Sequence, residues 1–112
     1  MIPKWEHARL TSNSRMRILS RATLREFWKT HADAEGPLKT WFAEVINATW
    51  KTMVDIKRRH ATASVIDNER VVFNIGGNKY RLVVKVWFPG QVVWIKFIGT
   101  HRRYDQIDVK RL

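Results

Sequence analysis

Gly99-Thr100-His101-Arg102-Arg103-Tyr104-Asp105 brings an imidazole, two guanidiniums, a phenol and a carboxylate into one short segment. RNA cleavage without a metal calls for such a set. A base must take the proton of the ribose 2′-OH, an acid must protonate the leaving 5′-oxygen, and cations must offset charge on the phosphorane. His101 leads as acid or base because an imidazole titrates near neutrality, with Tyr104 and Asp105 placed to assist or orient it. The alternative is that His101 and Tyr104 only cap and pack the end of a sheet, and residue types leave both readings open.

Two further basic clusters accompany this one. In Lys79-Tyr80-Arg81-Leu82-Val83-Val84-Lys85, strand alternation sends Tyr80, Leu82, Val84 and Val86 to one face and Lys79, Arg81, Val83 and Lys85 to the other. The first face suits a core. The second is a row of cations suited to phosphate, which Lys96 joins if its strand pairs alongside. On that reading Arg81 is exposed, and its removal costs no more than about 0.5 kcal/mol of stability. The run Lys57-Arg58-Arg59-His60 reads first as a solvated helix end whose cations complement the helix dipole, and second as an RNA contact. Arg102 and Arg103 add to the same basic inventory.

The elements that must position these groups are legible from pattern. Met16 to Leu19 predicts a short strand, after which Ser20 can cap a helix. Leu24, Phe27, Trp28 and His31 recur at helical spacing, as do Leu38, Trp41, Phe42, Val45 and Ile46 after the break at Gly36-Pro37. These aromatic stripes read as core. Thr52 and Asp55 fit a capping box for a short third helix ending at Lys57–His60. Strands follow at Ser64 to Ile66, Arg70 to Ile75, Lys79 to Phe88 and Val92 to Ile98. They are separated by Asp67-Asn68, Gly76-Gly77-Asn78 and Pro89-Gly90 turns. In the last strand Val93, Ile95 and Phe97 are expected on one face, with Trp94 and Lys96 on the other. Strand, two to three helices, then an antiparallel meander packed against the helices makes an α+β domain.

Whole-chain quantities set the bounds. The 112 residues carry 21 Lys+Arg against 10 Asp+Glu, a formal charge of +11, with 45% hydrophobic residues. That is one domain by length, with a modest core and a preference for polyanions or acidic proteins. Without cysteine there are no disulfides, zinc-cysteine sites or thiol chemistry. Carboxylates are scattered, so two-metal hydrolysis is not expected. No helix follows Gly76-Gly77, so the pair is not a phosphate-cradling loop. No metal or cofactor is expected. No apolar run reaches membrane-span length and no signal-peptide core is visible, so a cytoplasmic location is expected. Residues 1–15 lack apolar periodicity and read as a mobile extension ahead of a domain over residues 16–112.

The stretch Arg70-Val71-Val72-Phe73-Asn74-Ile75, with Gly77-Asn78-Lys79-Tyr80-Arg81-Leu82-Val83-Val84-Lys85, is followed by Phe97-Ile98-Gly99-Thr100-His101-X-X-Tyr104-Asp105-X-Ile107-Asp108. Together these closely resemble the HigB family of bacterial type II toxins, mRNA interferases related to the RelE superfamily. Met16 to Trp28 and Trp50 to Lys57 resemble the same family. The resemblance implies a RelE-like fold and a ribosome-dependent, metal-independent endoribonuclease that cuts mRNA and arrests translation. It also implies a partner, a HigA-type antitoxin carrying a helix-turn-helix. Arg102-Arg103 departs from the family pattern by raising the local charge. Two other readings stand beside this one: a non-catalytic RNA-binding module, and a degenerate toxin that only binds its antitoxin.

Overall fold

The computed structural model describes residues 16–112, so the expectation for residues 1–15 lies outside the described residues. The chain runs β1 (Arg17–Leu19), α1 (Ala22–Thr30), a 3-10 turn (Ala32–Ala34), α2 (Glu35–Ile46) and α3 (Met53–Arg59). It continues through β2 (Ser64–Val65), β3 (Arg70–Ile75), β4 (Tyr80–Trp87), β5 (Val92–Thr100) and α4 (His101–Tyr104), ending in a 3-10 turn (Val109–Arg111). One five-stranded sheet has the order β1-β5-β4-β3-β2. The expected α+β class and antiparallel meander are present, and β1 adds to its far edge as a parallel partner of β5. The sheet is therefore mixed.

Hydrophobic burial explains the layering. Leu24 of α1, Leu38, Trp41, Phe42, Val45 and Ile46 of α2, and Ile56 of α3 share one buried cluster with Tyr80, Leu82, Val84 and Val86 of β4. Each such large side chain contributes about 1.5–3 kcal/mol by leaving water. The opposite sheet face is closed more locally: Val72 and Val83 are buried yet lie outside that cluster. The C-terminus is tied to this side of the molecule, since Arg70 Nε and its guanidinium nitrogen donate to the Leu112 carbonyl at 3.2 and 3.0 Å.

Several local expectations hold in detail. The Asp55 carboxylate accepts from the Thr52 and Lys51 backbone N–H groups at 3.1 and 2.8 Å, the acidic arm of the capping box. Gly76 and Gly77 both have positive φ, +64° and +70°, as the tight β3–β4 turn requires. Two expectations are corrected. Ser20 does not cap α1 with its hydroxyl; it turns the chain at φ +66°, its carbonyl accepts from Thr23 N, and its Oγ accepts from Trp94 Nε1 at 3.1 Å. In β5 the simple alternation fails. Val84 pairs with Ile95 but Val83 pairs with Phe97, so Lys96 is an extra residue, a β-bulge. Beyond the bulge Ile98, not Phe97, faces the core, and Phe97 shares the outer face with Val83.

Candidate active site

Three elements converge where β4 begins and β5 ends. The register pairs Tyr80 with Thr100 and Arg81 with Gly99, so the residue after β5 must emerge beside the β3–β4 turn. That residue is His101, whose backbone N–H donates to the Lys79 carbonyl at 3.3 Å. Thr100 caps the short helix α4, its Oγ1 accepting from Arg103 N at 3.1 Å.

Arg81 is 9% exposed, which corrects the expectation of an open cation. It stands on the outer face as alternation requires, but its fork is already committed. One terminal nitrogen donates to the Asn78 and Tyr80 carbonyls at 3.1 and 3.3 Å, and the other donates to Asn78 Oδ1 at 2.7 Å. The latter also lies 3.4 Å from His101 Nδ1. A guanidinium can only donate, so Nδ1 accepts and the ring proton sits on Nε2. Nε2 in turn faces Asp105 Oδ1 at 3.5 Å, one helical turn away. The imidazole thus stands between a donor and an acceptor. Its side chain remains half exposed.

Lys79 and Tyr80 meet a residue that local sequence gave no reason to include. Asp33, from the 3-10 turn after α1, accepts from Lys79 Nζ and from the Tyr80 hydroxyl. The hydrogen bond from Lys79, then that from Tyr80, holds the Asp33 carboxyl below its ordinary value of 3.8. The same contacts raise the Lys79 ammonium and the Tyr80 phenol. Because the folded carboxyl gives up its proton more readily than the unfolded one, this stabilisation is complete above about pH 4 and fades as pH falls through the folded value. Asp33→Asn is therefore expected to remove part of the acid limb in melting curves taken across pH 2–5. An unchanged limb would show that the pair does not support the fold.

The other expected residues are distributed. Tyr104 and the exposed Arg102 and Arg103 lie on α4 with His101. Lys85 follows Arg81 by four strand positions, about 13 Å, and sits 4.0 Å from Glu69. Lys96 occupies the bulge and places its Nζ 4.7 Å from the Trp94 ring centroid. Lys57, Arg58 and Arg59 are engaged at the α3 end. Lys57 Nζ donates to the Ala61 and Ala63 carbonyls, both at 2.7 Å, Arg58 lies 3.4 Å from Asp55, and Arg59 lies 3.4 Å from Glu44. That end adjoins β2, three strand spacings or about 14 Å from β5. His60 belongs to the packing there, edge-on to Phe73 at 5.0 Å, and burial lowers its pKa from 6.5. Arg81, His101 and Asp105 are linked by side-chain contacts. Lys79 meets His101 through its backbone carbonyl while its ammonium turns to Asp33, Tyr104 shares α4 with His101, and Lys85, Lys96 and the α3 cations lie apart.

Among the described residues no helix is long and apolar enough to cross a membrane. The family model of the HigB toxin, the RelE-like toxic component of a toxin-antitoxin system, matches residues 34–107. The mRNA interferase toxin HigB of Escherichia coli (strain K12) is 42% identical to this chain over 38 residues. The mRNA interferases HigB of Escherichia coli O157:H7 and Shigella flexneri match to the same extent. The stretch is 34% of this chain and 36% of each relative, so about a third of their length is matched. The family match takes in α2, the sheet from β2 to β5 and the whole His101–Asp105 segment, and on that footing the chain belongs to the HigB toxin family, RelE-like toxic components of toxin-antitoxin systems.

Proposed function

We propose that this chain is an mRNA endonuclease that acts on messages under translation at the ribosome, without a metal ion, and so arrests protein synthesis. The observation that carries the proposal is His101, half exposed and held between Arg81 and Asp105. In this reading an RNA phosphate competes with Asp33 for Lys79 and draws the Arg81 fork from His101 Nδ1. Nδ1 is then free to accept the 2′-OH proton. The 2′-oxygen bonds to phosphorus, the bond to the 5′-oxygen breaks, and that oxygen takes a proton from Tyr104 or from the imidazolium. Asp105 keeps the ring oriented. Lys79 and Arg81 offset the charge that develops on the phosphorane. Arg102, Arg103, Lys96, Lys85 and, further off, Lys57, Arg58 and Arg59 add attraction for the RNA backbone.

The curated relatives' names, mRNA interferase, support the same activity. The partner in this reading is a HigA-type helix-turn-helix antitoxin. An acidic segment of it would do from outside what Asp33 does within the chain, neutralising Lys79. Induction of the protein with primer-extension mapping of translated messages tests the proposal. Discrete cuts that appear with growth arrest and vanish when the antitoxin is co-expressed are expected. Growth arrest without cuts would overturn the nuclease in favour of a non-catalytic RNA-binding module. Antitoxin binding with neither arrest nor cuts would leave a degenerate toxin.

A further inference from the structure

Large apolar side chains belong inside, and among the described residues Val54, Val65, Trp87 and Trp94 are the exposed ones. The two indoles are neighbours. Trp94 pairs across the sheet with Lys85 and Trp87 pairs with Val92, which sets the tryptophans on one face as a diagonal pair of adjacent strands. This is the outer face, the one that carries Arg81. A cleft of about 190 Å³ opens between them, bordered by Lys85 and Glu69.

Neither indole is loose. A Cβ on Gly90 would fall 2.3 Å from the Trp87 ring, so the ring lies directly on the β4–β5 turn, and still 63% of the residue is exposed. Trp94 is fixed by its Nε1 hydrogen bond to Ser20 Oγ and by Lys96 over its ring. Arg17, exposed on β1, pairs with Val92 at the edge of the same patch. Glu69 is the acidic side chain at its border. Rigid, exposed indoles ringed by Arg17, Lys85 and Lys96 suit bases with phosphates between them, since base–aromatic stacking tolerates any sequence and cations track the backbone.

The patch and His101 lie along the same strand, β5, with Lys96 beside Trp94 and His101 following Thr100. β1 stops opposite Trp94, so Lys96 to Thr100 of β5 has no strand on that side. A groove of about 510 Å³ runs there, lined by Lys96, Phe97, Gly99, Thr100 and Arg103, with Phe27 of α1 and His31 just after that helix opposite. From Trp94 to Thr100 the strand covers about 20 Å. We propose that Trp87 and Trp94 form a stacking platform for single-stranded RNA, reached from the His101 site along the free edge of β5. The platform lengthens the RNA footprint by several nucleotides. This deepens the nuclease reading and rests on RNA being the ligand.

The test uses the full chain and fluorescein-labelled oligouridylates of 4 and 12 nucleotides with 2′-O-methyl riboses, which present no attacking hydroxyl. The 12-mer is expected to bind more tightly than the 4-mer by anisotropy. Trp87→Ala should weaken the 12-mer roughly 5- to 150-fold, the range one stacked base supplies, with the 4-mer unchanged and Trp87→Phe largely restoring affinity. Gly90→Ala keeps the indole but pushes it off its seat, and should weaken the 12-mer alone. Equal binding of both lengths by the parent would overturn the platform. So would Trp87 variants that bind the 12-mer normally, including any that instead lose a protein partner. Message cleavage is scored separately: length-dependent binding without cuts sinks the nuclease alone, and cuts without length dependence sink the platform alone.

Discussion

His101→Ala is expected to slow cleavage of translated messages by about 10²–10⁴-fold, the usual share of one acid–base group, while the protein folds normally. The imidazole is half exposed, sits outside the core cluster, and heads a helix of only four residues. Its removal leaves no cavity under the sheet. Binding of uncut RNA should persist, because the nearby charges on Lys79, Arg81, Arg102 and Arg103 remain. Asp105→Asn gives the companion measurement. It keeps the shape but replaces an acceptor for Nε2–H by a group that can turn either way, so a smaller loss than that of His101→Ala is expected. Cleavage by His101→Ala at the parent's rate would remove the imidazole from the reaction and hand the proton transfers to Tyr104, Lys79 or groups of the ribosome.

The second large effect is on folding and activity together. Arg81→Ala strands the Asn78 and Tyr80 carbonyls and Asn78 Oδ1 without the donor they now share. Leaving partly buried acceptors unmade costs about 1–3 kcal/mol. In a domain of this size each kcal/mol lowers the melting temperature by about 4–8 °C. Activity should fall further than folded fraction alone explains, since the same fork reaches His101 Nδ1. Arg81→Lys separates the two roles: it keeps a charge for phosphate but cannot hold three acceptors at once. A melting temperature unchanged in Arg81→Ala would return Arg81 to the open cation that strand alternation alone suggests.

That contrast shows what was legible beforehand. Alternation placed Arg81 on the face opposite Tyr80, Leu82 and Val84, which is where it lies; it carried no information on what would cover it. The cover is Asn78 from the turn and His101 from beyond β5, and the latter is brought close only by tertiary register. The helices were legible because their apolar spacing is long and regular. The strand β5 was legible as a strand and misread as a pattern, since an inserted residue shifts every later side chain to the other face and nothing local marks Lys96 as the insertion. Asp33 had no local signal at all. It lies 46 positions from Lys79, and a single carboxylate after a helix looks like any solvated turn residue. The tryptophans of the outer face were visible as residues, but their exposure depends on β1 being short and on which partner each strand selects.

The parallel pairing of β1 with β5 joins residue 17 to residue 92, and this has a consequence for the order of events during synthesis. Chains leave the ribosome at about 5–20 residues per second, so β1 waits roughly 4–15 s at that pace for the strand it needs. No shorter pairing is open to it in this topology, because β1 contacts no other strand. His101 follows β5 and is made later still. Helices α1 and α2 can form early from local contacts, whereas the sheet and the groove close only once β5 has been made. A nascent copy therefore carries its helices before it can assemble the strand edge that holds His101.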